Sequence, residues 1–546
     1  MSRRRPRPRG APPPLEVPLA ELAAIIERTQ HTALSAEDHA KLKAALETLA
    51  FLTAELQATG TSLDRLRRLL FGAKTEKTRT LVGPGAAPAR GSPGAEAAGA
   101  PRPGHGRAGA AAYTGATRVE IAHPTLRRGD GCPECARGKV YPLTEPAQLV
   151  RITGMAPLGA TVYACDRLRC NLCGEVFTAP APADVGDAKY DETATSMVGL
   201  LKYGCGLPFH RIERLQRGLG IPLPATTQWE LVRDARPRLQ PVWDELRRQA
   251  AQGEVLYTDD TAMKVLALSA EQRRAAAADE ETDARTGVFT SGVVATGAGH
   301  RLALFFTGRQ HAGENLTHLL AQRAAAQPPP VHMCDALAAN TAGDFDTLLA
   351  HCLAHARRRF VDVVANFPAE VRHVLETLRA VYHHDAQARQ QALSPDQRLG
   401  FHQAHSGPLM AGLAPWLRAQ LDAHRVEPNS GLGEAIAYML KHWEALTLFL
   451  RVPGAPLDNN LVERALKKAI LHRKNALFYK TLNGARVGDV FMSLIHTAEL
   501  NRVAPFDYLV ALLRHPQEVA RHPGAWMPWN YQETRAGLEA RAGPPH

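Results

Sequence analysis

The order of apolar segments between residues 250 and 335 most constrains the fold of this chain. GEVLYTDDTAMKVLAL, GVFTSGVVAT and HRLALFFTGR are rich in β-branched and aromatic residues and bounded by glycine, so they predict three consecutive strands. A helical segment, ENLTHLLAQRAAAQ, and a further strand, PPPVHMCD, follow them. This order is typical of a mixed α/β sheet and not of a doubly wound parallel sheet.

The rest of the chain predicts a multidomain protein. Its 546 residues are enough for about three to four domains, and the 45% hydrophobic content can fill several cores, which excludes a wholly disordered protein. We predict the following regions: a basic disordered tail (1–14), a leucine-rich helical or coiled-coil region (15–78), a Gly/Ala/Pro linker (79–115), a zinc-binding module (116–180), a helix-turn-helix-like region (185–248), the first part of the α/β core (250–365), an all-helical insertion (366–452), the second part of the core (453–500) and a C-terminal tail (501–546), helical through YLVALLR and irregular around WMPWNY.

The charge balance indicates a polyanionic partner. Lysine and arginine number 65 against 54 acidic residues, a formal net charge of +11. Nucleic acid is the leading candidate, and an anionic membrane surface is the second. No stretch approaches the ~20 apolar residues of a membrane span, and the basic start leads into no apolar signal segment. We therefore expect a soluble cytoplasmic protein that associates with the nucleoid when bound to DNA.

A leucine repeat near the start predicts self-association. Leucine recurs at every seventh position, at Leu42, Leu49, Leu56, Leu63 and Leu70. This spacing is typical of a coiled coil, although Gly60 interrupts it and an ordinary amphipathic helix pair fits equally well. A homo-oligomer is the expectation that follows.

Two CxxC pairs predict a structural zinc site. The cysteines are Cys132 and Cys135, then Cys170 and Cys173, with 34 residues between the pairs. Four thiolates suit one tetrahedral Zn²⁺ and leave no open coordination position, whereas buried thiols without metal are the alternative. The remaining cysteines lack ligand spacing, and we expect Cys205, Cys334 and Cys352 to be small buried apolar residues.

The segment LPFHRIERLQRGLGIPLPATTQWELVRDA predicts two helices separated by a glycine-containing turn. Thr226 or Thr227 would be the N-cap of the second helix. Arg211, Arg214 and Arg217 on the first helix could contact DNA phosphates, as in a helix-turn-helix. A helical hairpin that serves only packing is the alternative.

Three acidic residues stand where a sheet-edge site would form. Asp259 ends the first predicted strand, Asp335 ends the fourth, and Glu463 lies one turn into a helix that follows Asp458-Asn459-Asn460. Carboxylates from two strand ends and one helix suit two Mg²⁺ ions and phosphodiester chemistry.

Each acid also has a purely structural interpretation. Asp259 or Asp260 could be a solvated acid at a strand end, and Asp335 could be a turn residue. Glu463 could form a capping box with Asn460 or pair with Lys467. Basic residues that should flank the acids favour a site that holds a polyanion: Arg357, Arg358, Arg464, Lys467, Lys468, Arg473 and Lys474.

Taken together, these segments resemble the insertion-sequence-66 transposases, a family within the DDE transposases that have a ribonuclease-H-like core. The segments that carry the resemblance are RRLLFGAKTEK, the paired CxxC segment, GCGLPFHRIERL, TDDTAMKVL, FFTGRQHAGENL, MCDALAAN, HCLAHARRRF and PLDNNLVERALKKAILHRKNALF. The resemblance implies that Asp259, Asp335 and Glu463 are the catalytic Asp, Asp and Glu. It also implies that the sheet is interrupted by an insertion before the glutamate helix.

The resemblance implies a DNA transposase that cleaves and joins strands at the ends of its own mobile element. Its cofactors would be two Mg²⁺ or Mn²⁺ ions beside a structural Zn²⁺, and its partners element-end and target DNA, further copies of itself and possible accessory proteins, with no membrane. A ribonuclease-H-like nuclease without strand transfer and a non-catalytic zinc-containing DNA-binding protein are the alternatives.

Overall fold

The computed structural model describes residues 188–277, 287–341, 343 and 345–542. Before residue 188 it describes only residues 35, 37–39, 41–43, 124–125, 127–131, 139, 141, 157–169, 176–180 and 182. The chain divides into two units, 1–85 and 86–546. In the first unit, Leu42 is the only heptad leucine described, and it lies in a helical segment. The predicted coiled coil otherwise lies outside the described residues, as do the predicted basic tail, linker and zinc-ligand cysteines.

The central element is a five-stranded mixed sheet. Its strands are β3 (Val255–Ala262), β4 (Phe289–Gly297), β5 (His300–Gly308), β6 (Val331–Cys334) and β7 (Leu348–His351), in the spatial order β5-β4-β3-β6-β7. The first three strands pair antiparallel, and β6 and β7 add in parallel. The predicted mixed α/β sheet is confirmed, and its order is compatible with the ribonuclease-H-like core that the resemblance implies. Earlier in the chain, β1 (Arg167–Arg169) and β2 (Val176–Thr178) form a separate antiparallel pair.

The α-helices from residue 188 onward lie before, between and after the strands in the chain, and some of them pack on the two faces of the central sheet. They are α1 (Glu192–Gly199), α2 (Phe209–Gly218), α3 (Ala225–Ala250), α4 (Leu266–Ala277), α5 (Ala312–Leu320), α6 (Leu353–Asp362), α7 (Pro368–Gln390), α8 (Pro395–His405), α9 (Gly407–Asp422), α10 (Gly431–Lys441), α11 (Trp443–Leu446), α12 (Asn460–Ala476), α13 (Leu482–Leu500), α14 (Pro505–Arg514), α15 (Pro516–Arg521) and α16 (Tyr531–Ala542). None of the described helices is long and apolar enough to span a membrane.

Side chains of α13 satisfy the backbone of the edge strand β5. Asp489, Ser493 and Thr497, four residues apart, lie on one face of α13. They accept hydrogen bonds from the backbone N–H groups of Thr307, Phe305 and Ala303 at 2.8, 3.0 and 3.0 Å. An unpaired strand edge can template pairing with another chain, and these bonds remove that possibility along β5.

The segment between the core and α12 is helical, as the sequence predicts. Helices α7 to α11 fill residues 368–446 and bury Val371, Leu375 and Leu378 at the predicted helical spacing. Ser394 begins α8 with a reciprocal capping box, because its hydroxyl accepts from the Gln397 N–H and the Gln397 side chain accepts from the Ser394 N–H. The segment therefore has its own apolar contacts beside the sheet.

Several predicted elements differ from the structure. The segment read as one strand contains β3 and then α4, which begins at Leu266, and strand β7 was not predicted. Helix α3 has Pro224 as its N-cap, so the assignment to Thr226 or Thr227 was wrong. The region after the YLVALLR segment is mostly helical and not irregular. Cys205 is exposed, contrary to prediction, whereas Cys334 and Cys352 are buried as expected.

Candidate active site

Two adjacent aspartates on β3 point to opposite faces of the sheet. In the pairing of β3 with β4, Asp259 lies opposite Gly292 and Asp260 lies opposite Ser291. Because successive strand residues alternate between faces, only one of the two acids can join a given site. Strand β3 continues to Ala262, so the prediction that Asp259 ends it was wrong. Its parallel pairing with β6 does end at Tyr257, two residues before Asp259.

The Asp260 carboxylate makes its hydrogen bonds within the chain. Its carboxylate accepts hydrogen bonds from the Ser291 hydroxyl at 2.6 Å and from the Ala312 N–H at 3.0 Å, and it lies 2.9 Å from Nδ1 of His311. His311 and Ala312 are the N-cap and first residue of α5. Asp260 thus fixes the start of α5 on one face of the sheet, which leaves the other face to Asp259.

Asp259 lies among like charges. Burial, together with the negative charges of Asp335, Glu463 and Asp260, raises the pKa of the Asp259 carboxyl to about 7, whereas a hydrogen bond from the Asp260 N–H lowers it. The charges of Asp335 and Glu463 can act in this way only if those side chains lie close by. The three acids that the sequence singled out thus lie near enough to interact electrostatically, and their sharing of one metal site stays a prediction.

Asp335 is oriented by the turn that follows β6. Its Oδ1 accepts a hydrogen bond from the Asn340 side chain at 2.7 Å and another from the Leu337 N–H at 3.2 Å. The residue comes directly after Cys334, the last residue of β6, as predicted. These two bonds hold the carboxylate in one orientation at the sheet edge.

Asn459 places the start of the glutamate helix on β3. The Asn459 side chain is fully buried and donates to the Thr258 carbonyl, directly before Asp259, at 2.8 Å. Its backbone N–H donates to Sγ of Cys352 at 3.2 Å. Glu463 lies in the first turn of α12, as predicted, so these bonds set its position relative to Asp259.

Gly292 allows α12 to approach the sheet beside Asp259. A Cβ atom at Gly292 would lie 3.0 Å from side-chain atoms of both Leu466 and Val462 on α12. Such distances are too short for carbon atoms, which prefer 3.5 to 4.0 Å. The absence of a side chain at residue 292 is therefore part of how Glu463 reaches the acids on β3 and after β6.

The purely structural interpretations of Glu463 find no support among the described residues. The N-cap of α12 is Asn459 without a side-chain capping bond, and Glu463 pairs with neither Asn460 nor Lys467. On α6, Nδ1 of His355 lies 3.7 Å from Oε1 of Glu463. Ligand atoms of Cys352, His355 and Glu463 lie within 4.8 Å of one another, a second arrangement that could hold a metal ion.

The donor set favours the acids over that second arrangement. Burial raises the pKa of the Cys352 thiol to about 12, and its sulfur already accepts the Asn459 N–H. A thiol must lose its proton to bind a metal well. Three carboxylates are instead the ligands that Mg²⁺ and Mn²⁺ prefer.

The predicted DNA-binding residues fall into two groups. Arg211, Arg214, Arg217, Arg358, Arg464, Lys467 and Lys474 are exposed, and Arg357 is half-buried. Lys468 pairs with Glu499 at 2.9 Å, and the Arg473 guanidinium bonds to Thr261 and to the Ala262 carbonyl at the end of β3. Lys468 and Arg473 thus have contacts inside the chain.

The two-helix arrangement before the core is present, with α2 and α3 separated by a turn in which Gly220 has φ +75°. That backbone conformation favours glycine, which agrees with the predicted turn. The exposed face of α2 carries the arginines named above, and Arg217 also pairs with Glu213 at 2.5 Å. A helical hairpin with a basic outer face is what the structure establishes here.

Sequence reasoning missed three residues that build the site: Asn459, His355 and Gly292. The first two occur inside the motifs DNN and HCLAHARRRF, but the Asn459 bond to β3 spans 201 positions and His355 meets Glu463 from a different helix. Gly292 is one of 43 glycines, and its role depends on the register of β3 with β4.

The fold and the candidate site together define an α/β protein with a mixed sheet, three acidic residues near one edge of the sheet, and arginine and lysine residues around them. The chain belongs to the family described as "Transposase IS66 family", whose model matches residues 188–487, and the resemblance drawn from its motifs is confirmed. An uncharacterized protein of Sinorhizobium fredii (strain NBRC 101917 / NGR234), y4jD, is 28% identical over 393 residues, covering 68% of this chain and 73% of the relative. Another from the same strain, y4hP, is 27% identical over 399 residues, covering 68% of each chain.

Proposed function

We propose that this protein is a DNA transposase that binds the ends of its mobile element and catalyses metal-dependent strand cleavage and strand transfer. The observation that carries the proposal is the Asp259 carboxyl, whose pKa is raised by burial and by the nearby charges of Asp335 and Glu463. Such an arrangement is unfavourable unless cations bind there. Membership of the family supplies the reaction class.

In this proposal Asp259, Asp335 and Glu463 would hold two Mg²⁺ or Mn²⁺ ions. When bound, such ions activate a water or a 3′-hydroxyl and stabilise the leaving oxygen of a phosphodiester. The chain's own residues supply position: Asn340 orients Asp335, and Asn459 holds α12 so that Glu463 lies close to Asp259. Asp260 acts as a positioning residue for α5 and contacts no substrate.

The exposed basic residues would bind DNA through its phosphates. Arg464 and Lys467 flank Glu463 on α12, Arg357 and Arg358 lie on α6 beside His355, and the arginines of α2 extend the basic surface. We further propose that Cys132, Cys135, Cys170 and Cys173 bind one structural Zn²⁺ and that the leucine-rich region 15–78 forms the oligomer that brings two ends together.

Incubation of the purified protein with Mg²⁺ and labelled duplexes that carry the element's terminal sequences tests the proposal. Joined products are the expected result. Cleavage without joining would indicate a nuclease instead, and binding without either reaction would indicate a non-catalytic DNA-binding protein. Omitting Mg²⁺ is the control, and products that form equally well without it would contradict a metal-dependent site.

A further inference from the structure

Two large apolar side chains protrude from the chain immediately after the glutamate helix. Helix α12 ends at Ala476, and the next residues, Leu477 and Phe478, are 65% and 39% exposed. We call these two residues the 477–478 turn. Single apolar side chains are often exposed in soluble proteins, but two adjacent large ones expose more apolar surface than one, and exposed apolar patches mark contacts with partners.

The backbone of the turn is strained. Leu477 has φ +68° and ψ −39°, and the Phe478 N–H donates to the Ala476 carbonyl at 2.8 Å, which makes a γ-turn centred on Leu477. This form of the γ-turn is rare for residues with a side chain. Among the described residues, Leu477 is the only aliphatic residue larger than alanine with positive φ. Backbone strain of this kind concentrates at functional sites.

Contacts on both sides hold the turn rigid. Before it, His472 is buried and stacks on Tyr479 with ring centroids 4.2 Å apart. After it, the Tyr479 N–H donates to the Lys264 carbonyl at 2.9 Å, and Arg473 bonds to Thr261 at 3.1 Å. The turn is thus fixed to the end of the strand that carries Asp259.

A basic stripe leads from the acids to the turn. The exposed residues of α12 include Arg464, Lys467, Leu471 and Lys474, spaced three, four and three residues apart, so they line one face of the helix. From Glu463 to Leu477 the helix rises about 21 Å at 1.5 Å per residue. A DNA duplex that follows this stripe from the acids therefore reaches the turn within about six base pairs.

We propose that Leu477 and Phe478 insert between stacked bases of the DNA held at the proposed active site and unstack one base step within about six base pairs of the reacting phosphodiester. The inference rests on the proposed function and assigns a DNA-distorting role to the turn. Apolar side chains on a rigid, basic surface are the known means of opening a base step. The surrounding positive charge matches a nucleic acid better than a second copy of a chain whose net charge is +11.

The test uses the full-length protein and duplexes that carry 2-aminopurine at successive positions around the cleaved bond. The variants are Leu477→Ala/Phe478→Ala and, separately, Leu477→Gly, which removes the side chain and relieves the backbone strain. The matched control is Leu348→Ala, since Leu348 is a 38% exposed leucine at the opposite end of the sheet. Each protein is also assayed on a duplex with an abasic site at the affected step, where the base stack is already interrupted.

We expect the wild type and Leu348→Ala to raise 2-aminopurine fluorescence at one step, and both turn variants to lose that signal. Strand transfer by the turn variants should fall about tenfold on intact duplex and recover to within about twofold on the abasic duplex, because the abasic site removes the stacking that the turn would otherwise have to open. Leu477→Gly should melt at or above the wild-type temperature.

Equal fluorescence and transfer in the turn variants would overturn the inference, as would a loss that the abasic duplex does not restore. A change in oligomeric mass with unchanged fluorescence would assign the turn to a protein interface and also overturn it. Failure of the proposed function itself is distinguishable, because then the wild type joins no strands on either duplex.

Discussion

Two buried aspartates in this protein have pKa values raised to a similar level and opposite surroundings. Burial raises the pKa of Asp259 on β3 and of Asp489 on α13 to about 7 in each case. Around Asp489, two hydrogen bonds from Thr307 at 2.8 and 2.7 Å and the charges of Arg236 and Arg486 lower the pKa against burial. Around Asp259, the neighbouring charges are those of Asp335 and Glu463, which raise the pKa in the same direction as burial does.

The comparison shows that a perturbed pKa does not by itself identify a site. Asp489 has its acceptor atoms satisfied and ties a helix to an edge strand, so its burial serves the fold. Asp259 lies where carboxylates repel one another. This repulsion destabilises the folded protein, and a bound cation would offset it. The sign of the neighbouring charges, more than the depth of burial, distinguishes the two.

The largest expected effect is on strand transfer, and it separates the region around Asp259 from the region around Asp489. Glu463→Gln keeps the side-chain volume but removes a negative metal ligand, so strand transfer should fall by at least about 100-fold while end binding stays within about threefold. Asp489→Asn, the matched control in the second region, should retain most activity. Strand transfer and gel-shift assays run side by side measure both, and near-normal joining by Glu463→Gln would remove Glu463 from the site.

Packing of α12 against β4 should matter for both folding and chemistry. Gly292→Ala places a methyl group against Leu466 and Val462, so these side chains must shift by a few tenths of an ångström, and we expect α12, with Glu463, to shift with them. We expect the free energy of unfolding to fall by about 1 to 3 kcal/mol, as for other overpacked positions, and strand transfer to fall with it. The control is Gly218→Ala on α2, where a Cβ meets no atom within 4 Å. Equal stability of the two variants in urea unfolding would argue against the close approach of α12.

Stability should respond in opposite ways to alanine at the two aspartates. Asp489→Ala leaves the buried Thr307 N–H without an acceptor and should lower the free energy of unfolding by about 1 to 3 kcal/mol. Asp259→Ala removes a repelled charge at a partly open site, so at pH 8 without divalent cations the change should be small or stabilising. Urea unfolding of both variants measures the difference, and a larger loss for Asp259→Ala would contradict the comparison.

The carboxyls of Asp259 and Asp489 also make the free energy of unfolding depend on pH. The pKa of each is raised on folding from 3.8 to about 7, so the folded state holds these protons more tightly than the unfolded chain. Their contribution to stability is therefore full below pH 4 and is lost as the pH rises through about 7.

The smallest expected effect concerns the basic stripe. Lys467→Ala on α12 removes one exposed cation and should weaken end binding a few-fold for all sequences alike, with a salt slope about 0.9 shallower if one phosphate contact is lost. Lys468→Ala is the internal comparison, because Lys468 already pairs with Glu499 and should change binding less. Fluorescence anisotropy over a salt series distinguishes the two, and equal slopes would show that Lys467 contacts no phosphate.

The sequence predicted the parts of this fold that depend on local pattern. Strands β3 to β6, the helical segment before α12 and the position of Asp335 directly after β6 follow from residue types and short spacings. Strand β7 was missed because LLAH is too short to show alternation, and α4 because it follows β3 after only three residues. The opposite orientation of Asp259 and Asp260 depends on register with β4, which no local pattern contains.

Binding of Mn²⁺ by isothermal titration calorimetry, at pH 6 and pH 8, tests the central claim most directly. We predict that the wild type and Asp489→Asn bind Mn²⁺, more tightly at pH 8 and with proton release at pH 6, because the Asp259 carboxyl must lose a proton held with a pKa of about 7. Asp259→Asn should lose most of this binding at both pH values. Binding by Asp259→Asn that matches the wild type in affinity and in proton release would contradict the claim that Asp259, Asp335 and Glu463 form one cation site.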